Sequence, residues 1–361
     1  MAKVEKITIK GYKSIKSLED FELKNLNILI GANGVGKSNF ISAFTLLNKM
    51  CNKELQSYTQ SKSPDNFLHF GRKHTERIFF EFKFASNKYN VEFIPTQENK
   101  LLIKDEKGYF FGLMKNITVN LGQNLEESHL SEIEKYSSSK AVADYIKNSI
   151  QQWKVYHFHD TSDTSKMKGK PASNDNLIFK QDAANLASYL KMIKDKHIAH
   201  YEQIVATIQM VAPFFGGFVL RDDEFIQLEW FDKTDSDTPF KAHYLSDGTL
   251  RFIALATLLL QPFELMPDTL IIDEPELGLH PFALCILSEL IKRASVEKQV
   301  IISSQSVELI NYFEPQDIIV VDREDNQSTF KRLNAEDLRD WLEDYSLGEI
   351  WKSNLIGGRP K

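Results

Sequence analysis

Cysteine is almost absent: two residues, Cys51 and Cys285, stand far apart in 361. That excludes a disulfide framework and offers no zinc-type spacing, so both are read as buried small hydrophobes in a reducing compartment. No run approaches the roughly 18 consecutive apolar residues that cross a bilayer. The opening Met1-Ala2-Lys3-Val4-Glu5 has no apolar signal core. A cytoplasmic chain without a membrane partner is the expectation. Positive charge is not in excess either: 44 Lys and Arg against 50 Asp and Glu give a formal charge of −6. Whole-chain electrostatics therefore supply no argument for nucleic acid, although a local basic groove stays open. There is no internal repeat and no sustained heptad pattern, which excludes a solenoid and a long coiled coil. What remains is a chain of ordinary composition, long enough to bury a core as one large domain or two lobes.

Against these absences stands one dense motif. Gly31-Ala32-Asn33-Gly34-Val35-Gly36-Lys37-Ser38 fits the phosphate-loop pattern G-x-x-x-x-G-K-[ST] at every fixed position. Residues 26–30 read as a buried strand feeding it, and residues 39–50 as a helix leaving it, with Phe40, Ile41, Phe44, Leu46 and Leu47 apolar. Glycines let successive backbone amides converge on one anion, and the helix N-terminus adds its positive dipole end. Lys37 is placed to reach the β- and γ-phosphates of ATP, and the Ser38 hydroxyl to hold Mg²⁺.

The rest of the chain reads as follows. Residues 3–10, 18–23 and 27–30 are strands, and 52–65 is a polar stretch. From 77 to about 119, short apolar runs (78–84, 89–93, 101–103, 109–114) predict an antiparallel meander. Residues 126–152 look helical and polar, 161–176 form a loop free to move, and 183–214 carry helical spacing ended by Pro213. Strands are expected at 218–220 and 225–231. From 242 to 322 helices (247–260, 281–295, 307–313) alternate with strands (269–272, 299–303, 317–321), which argues a parallel sheet with crossover helices.

Two further motifs sit in that alternation. Strand 269–272 runs into Asp273-Glu274-Pro275. A carboxylate at a strand end beside a phosphate loop is the usual second Mg²⁺ anchor, here Asp273, and Glu274 is placed to polarise the attacking water as general base. Leu245-Ser246-Asp247-Gly248 precedes a strongly apolar helix. Alone it is a Ser N-cap with a Gly turn. Just upstream of a strand-Asp-Glu-Pro it resembles the signature motif of ABC-type ATPases. That resemblance implies that Ser246, Asp247 and the Gly248 backbone bind the γ-phosphate of a nucleotide held by a second copy, in an ATP-sandwiched head-to-tail dimer.

Asn33 and Asn39 in and beside the phosphate loop are similar to RecF and SMC-type ATPases rather than transporters, as is the opening Ile7-Thr8-Ile9-Lys10-Gly11-Tyr12-Lys13-Ser14-Ile15. Asp273-Glu274-Pro275-Glu276-Leu277-Gly278-Leu279-His280-Pro281 resembles the D-E-P-E-x-x-L-H-P run of the bacterial RecF/SMC-like, OLD-like "AAA family" ATPases. The resemblance covers residues 1–50 and about 240–322 well, and 60–235 loosely. It implies that Gly31, Asn33, Gly34, Val35, Gly36, Lys37, Ser38 and Asn39 surround the nucleotide. It also implies that His280 lies at the dimer interface; a plain helix cap is the other reading.

The chain departs from that family after strand 299–302. Ser303-Ser304-Gln305-Ser306 stands where a Thr-His-Ser run places a switch His. Gln305 can orient water and donate to the γ-phosphate but cannot carry a proton, which implies slow or partner-activated hydrolysis; otherwise it is a polar strand end. No Q-loop glutamine stands out among Gln151, Gln152 and Gln181. His157, His159 and Asp160 are either a small functional cluster or a strand end, and Lys166 to Lys170 is a basic run that either touches phosphate backbones or is a solvated loop. The aromatic tail (Trp341, Tyr345, Trp351) either anchors an interface or packs on its own core. About 40 residues follow the last parallel strand, too few for the Toprim nuclease of OLD proteins. A nuclease or other effector would be a separate polypeptide.

The expectation is an α/β, ABC-type P-loop ATPase head over residues 1–322, with a parallel-sheet core, an antiparallel β lobe and a helical insertion at about 122–215. A strand and an amphipathic tail follow at 323–361. A compact stand-alone ATPase of this kind resembles the ATPase subunits of two-gene bacterial anti-phage systems, which implies that it senses an invader or its DNA and controls a separate nuclease. A RecF-like DNA-repair or DNA-clamp ATPase is the alternative, with DNA then a partner, and a transporter subunit is disfavoured.

Overall fold

The computed structural model describes residues 3–113, 115–132 and 139–358. In chain order the first part holds β1 (Lys6–Tyr12), β2 (Ile15–Glu22), β3 (Leu26–Ile30), α1 (Lys37–Cys51) and α2 (Leu55–Gln60). Then come β4 (Ile78–Phe84), β5 (Asn87–Pro95), β6 (Leu101–Phe111), β7 (Asn116–Leu125), α3 (Lys140–Gln151) and β8 (Lys154–Tyr156). The second half runs α4 (Leu186–Lys196), α5 (Ile198–Val211), β9 (Phe215–Val219), β10 (Glu229–Asp232), β11 (Asp235–Lys241) and α6 (Asp247–Leu260). It continues through β12 (Thr269–Asp273), α7 (Pro281–Glu297), β13 (Gln299–Ser304), α8 (Val307–Ile310), β14 (Ile318–Glu324) and β15 (Gln327–Arg332). Two short helices close it, α9 (Arg339–Leu342) and α10 (Leu347–Lys352).

The central sheet has the order β15-β14-β3-β13-β12-β8. All its pairings are parallel except the β14–β15 hairpin. Strands buried on both faces must be continuous apolar runs, and Leu26-Asn27-Ile28-Leu29-Ile30 is buried at every position. Successive side chains point to opposite faces, so this sheet is a wall between two cores. Ile28, Ile30, Leu270, Ile272, Val300 and Ile302 join the core covered by α4 to α7. Leu29, Ile271, Ile301, Ile319 and Val321 join the one beneath α1 and the antiparallel lobe.

That lobe is the sheet β2-β1-β4-β5-β6-β7. Ile78, Phe80, Phe82 and Phe84 alternate inward from β4. Trp153 packs its ring 5.1 Å from Phe44 of α1 and 4.7 Å from Phe82, tying the phosphate-loop helix to the lobe. Fully burying each of these aromatics contributes roughly 2–3 kcal/mol. A small antiparallel sheet, β11-β10-β9, lies in the second half.

Several elements differ from expectation. The apolar run at 101–103 and the first part of that at 109–114 belong to one strand, β6, which ends at Phe111; Met114 lies outside the described residues. The pairing of β5 with β6 slips one residue at Lys104, so Ile103 and Glu106 both face inward and the period of two is interrupted. The helix expected over 126–152 is confined to α3, preceded by a 3-10 turn at His129–Ser131; residues 133–138 lie outside the described part. The segment 183–214 is two helices, broken at His197, whose φ of −139° and ψ of 54° leave the helical region. The polar stretch at 52–65 holds α2, and the exposed polar strand β11 was not expected. In the segment 225–231 Phe225 makes an isolated bridge to Ala172 and the strand itself begins only at Glu229, and α8 stops at Ile310. The loop 161–176 is packed: Met167 joins the core and Lys168 is buried above it. Cys51 is buried as expected, whereas Cys285 is half-buried.

Candidate active site

A parallel sheet brings the C-terminal ends of its strands to one edge, where ligands of open α/β sheets bind. Here β3 ends in the phosphate loop, β12 in Asp273 and β13 in Ser304 and Gln305. Ala32, Asn33, Gly34, Gly36, Lys37, Ser38, Asn39 and Glu274 line a cleft of about 120 Å³ at this edge.

The loop is built against two hydroxyls. Ser328, in the β14–β15 hairpin, donates to the Val35 carbonyl and accepts from the Ser14 hydroxyl at 2.7 Å. Asn39 donates to the same Ser14 Oγ at 2.7 Å. Any side chain at Gly36, whose φ is 120°, would run into Ser328 and Ser14. Gly36 also caps α1 without a side-chain bond, leaving the first-turn amides for another acceptor. Val35 turns inward into the core, and Asn33, Gly34 and Ser38 stay exposed at the crest. Lys37 donates back to the carbonyls of Gly31 at 2.6 Å and Ala32 at 3.1 Å. Burial lowers its ammonium below the ordinary lysine range, opposed by Glu274, Glu276 and Asp273.

Across the cleft stand the acids. Asp273 Oδ1 is buried and has no hydrogen-bond partner among the described residues. An orphaned carboxylate oxygen at this position suits a cation, so Asp273 and Ser38 are chemically fit to hold Mg²⁺. Among the described residues no group of three or more His, Cys, Asp or Glu forms a metal site by itself, and that includes the His157, His159 and Asp160 run. Glu274 has a left-handed φ of 46°, held by its amide donating to Ser303 O at 2.9 Å. A non-glycine residue in this region is strained, and such strain concentrates at functional sites. Gln305 Nε2 donates to Glu274 Oε1 at 2.9 Å.

Glu276 was not singled out from its sequence run, and it organises this side of the cleft. Its Oε1 accepts from Ser304 Oγ and from the Gln305 amide, both at 2.8 Å. Burial raises its carboxyl above the ordinary range, offset by these bonds. His159 is the one member of its run that reaches the site: Nε2 donates to the Asp273 carbonyl at 3.0 Å. Sequence offered only a weak signal for either residue, because both act on backbone brought together by the sheet.

The signature elements are elsewhere on the chain's surface. Ser246 caps α6, accepting from the Thr249 amide at 3.2 Å. His280 caps α7, its Nδ1 accepting from the Phe282 amide at 3.3 Å. Neither they nor Asp247 and Gly248 line the phosphate cleft. They are joined to it through Gly248, which packs so closely on the Gly278 carbonyl that a side chain would not fit. Buried Arg251 clamps the same junction. It donates to Phe158 O at 2.9 Å, His159 O at 3.1 Å and Leu277 O.

The whole arrangement is similar to that of solved SMC heads. One, an SmcHead bound to the C-winged helix domain of ScpA, matches with a TM-score of 0.62 at 17% identity, covering 92% of this chain and 99% of that one. Another, the Smc head domain with an extended coiled coil bound to the C-terminal domain of ScpA derived from Pyrococcus furiosus, matches with a TM-score of 0.58 at 14% identity, covering 95% and 99%. No curated protein sequence matches. The fold is thus that of the ABC-type P-loop heads. Within that class the chain belongs to the family described as "AAA domain, putative AbiEii toxin, Type IV TA system", whose model matches residues 26–311. No helix among the described residues is long and apolar enough to cross a membrane.

Proposed function

We propose that this chain binds ATP–Mg²⁺ at the phosphate loop, hydrolyses it, and assembles with a second copy around the nucleotide. The observation that carries the reading is that Glu274, bonded to Gln305, lines the same cleft as Lys37 and Ser38. Lys37 leaves the Gly31 and Ala32 carbonyls for the β- and γ-phosphates. Ser38 and Asp273 would hold Mg²⁺, which would supply positive charge against the phosphates. Glu274 accepts a proton from the attacking water as its oxygen bonds to the γ-phosphorus. The β–γ bridging oxygen departs with ADP, and inorganic phosphate is released. Gln305 orients that water and cannot carry the proton itself, which favours slow or partner-activated turnover.

Ser246, Asp247, Gly248 and His280 are off the cleft of their own chain, which supports their serving a partner's nucleotide. Within the same reading the assembly senses invading DNA or phage and controls a separate nuclease or effector. The family's printed description, with its toxin and toxin–antitoxin terms, supports a defence role over DNA repair. Hydrolysis of labelled ATP by the wild type and by Glu274→Gln tests the chemistry. The variant should bind ATP and release no phosphate; equal phosphate release by both would reject it. Protection of phage-challenged cells that carry the chain with its genomic neighbours, lost with Lys37→Ala, tests the defence role.

A further inference from the structure

The chain's tail comes back to the phosphate loop. After α9, α10 begins in a capping box between Ser346 and Glu349, and beyond it the backbone turns at Gly357 and Gly358 with φ of 81° and 77°. The Gly358 carbonyl accepts the Ala32 amide at 2.7 Å, and the Gly358 amide donates to Asp322 Oδ2 at 3.1 Å. A Cβ on Gly358 would meet Val320 at 3.0 Å, Trp351 Nε1 at 3.3 Å and Gly31 Cα at 3.4 Å. This turn is wedged between β14, α10 and the first residue of the loop.

A second contact from the same tail reaches the other side of the cleft. The Gly348 amide donates to Asn311 Oδ1 at 2.7 Å. A side chain at Gly348 would strike the Val307 carbonyl at 2.5 Å. Val307 opens α8, two residues after Gln305.

We propose that residues 347–358 are a positioning element of the nucleotide site, with Gly358 setting the Gly31–Ala32 turn of the phosphate loop and α10 setting α8 and, through it, Gln305. The inference rests on the ATP reading above. Lys37 and Gly358 hold the same turn, the lysine by the Gly31 and Ala32 carbonyls and the glycine by the Ala32 amide. When Lys37 moves to phosphate, the tail is the grip that stays. By linkage, what nucleotide does to the loop and to Gln305 is felt by the tail, and what holds the tail changes nucleotide affinity by the same factor.

Substitutions in the full chain separate the two contacts. Gly358→Val should raise the KM for ATP about tenfold with kcat within about twofold, and Gly348→Val should lower kcat about tenfold with KM within about twofold. Unchanged kinetics in both, or losses of kcat and KM that follow a falling melting temperature, would overturn the proposal. Hydrogen exchange of the unmodified chain decides the matter even if a variant does not fold. Addition of ATP–Mg²⁺ should slow exchange in 347–358 together with 31–40. Slowing confined to 31–40 would overturn the tail's role while leaving nucleotide binding intact. Slowing in neither segment would overturn the ATP reading and the tail's role with it.

Discussion

Gln305 donates its side-chain amide to Glu274 Oε1 at 2.9 Å, joining the end of β13 to the residue that follows β12. The pair places a proton acceptor and a fixed hydrogen-bond donor side by side, with no titrating group at the Gln305 position. Activity should therefore show no imidazole-like titration from this residue. Gln305→His should introduce one, a new inflection in the kcat profile near pH 6.5. Gln305→Ala should lower kcat by about 10²-fold with nucleotide affinity retained. Single-turnover hydrolysis across pH checks both.

Glu276 holds Gln305 by its backbone, so its loss acts on that residue without touching substrate. Glu276→Ala leaves the buried Ser304 hydroxyl and the Gln305 amide without their acceptor, a cost of about 1–3 kcal/mol. Urea titration should show the drop. Glu276→Gln, which keeps an acceptor oxygen, should recover most of it.

Arg251 ties the signature helix to the loop after β12. Arg251→Ala frees three backbone carbonyls at once and should lower the melting temperature by several degrees. Arg251→Lys cannot reproduce the planar fork and should recover only part of the loss. Differential scanning calorimetry of the two variants measures it.

A different carboxyl governs the lobe's pH response. Glu106 is fully buried, bonded by Tyr89 Oη at 2.7 Å and Ser128 Oγ at 2.8 Å. Burial pushes its carboxyl up from 4.5 to about 7, against the lowering effect of those two bonds. A group whose pKa rises on folding binds more protons in the native state. Its contribution is full below about pH 4.5 and is lost as pH rises through about 7, a swing on the order of 3 kcal/mol. Glu106→Gln should flatten that segment of a stability profile; an unchanged slope would place the dependence elsewhere.

Much of this molecule is legible from pattern alone, and the reasons are local. The segment 247–260 is bounded by a Ser N-cap and an unbroken apolar run, and α6 occupies those residues. The phosphate loop declares itself because its glycines and lysine are needed at fixed spacing. Glu106 illustrates the opposite case: the slip at Lys104 turned it inward, and a period of two could not foresee a bulge. The buttress of Ser14, Ser328 and Gly358 around one loop is equally invisible, since it joins residues some 300 positions apart. His159 and Arg251 act on backbone carbonyls, which carry no sequence signature of their own. The separation of Ser246 from the phosphate cleft likewise needed the fold.

The central claim is that two copies share the nucleotide, and the mass of the purified protein in solution tests it most directly. With Glu274→Gln, which should trap ATP, addition of ATP–Mg²⁺ should convert a smaller species into a dimer or larger ring, and adding Ser246→Arg should abolish the change. A monomer whose mass is the same with and without ATP–Mg²⁺, in the wild type and the trapping variant alike, would contradict it.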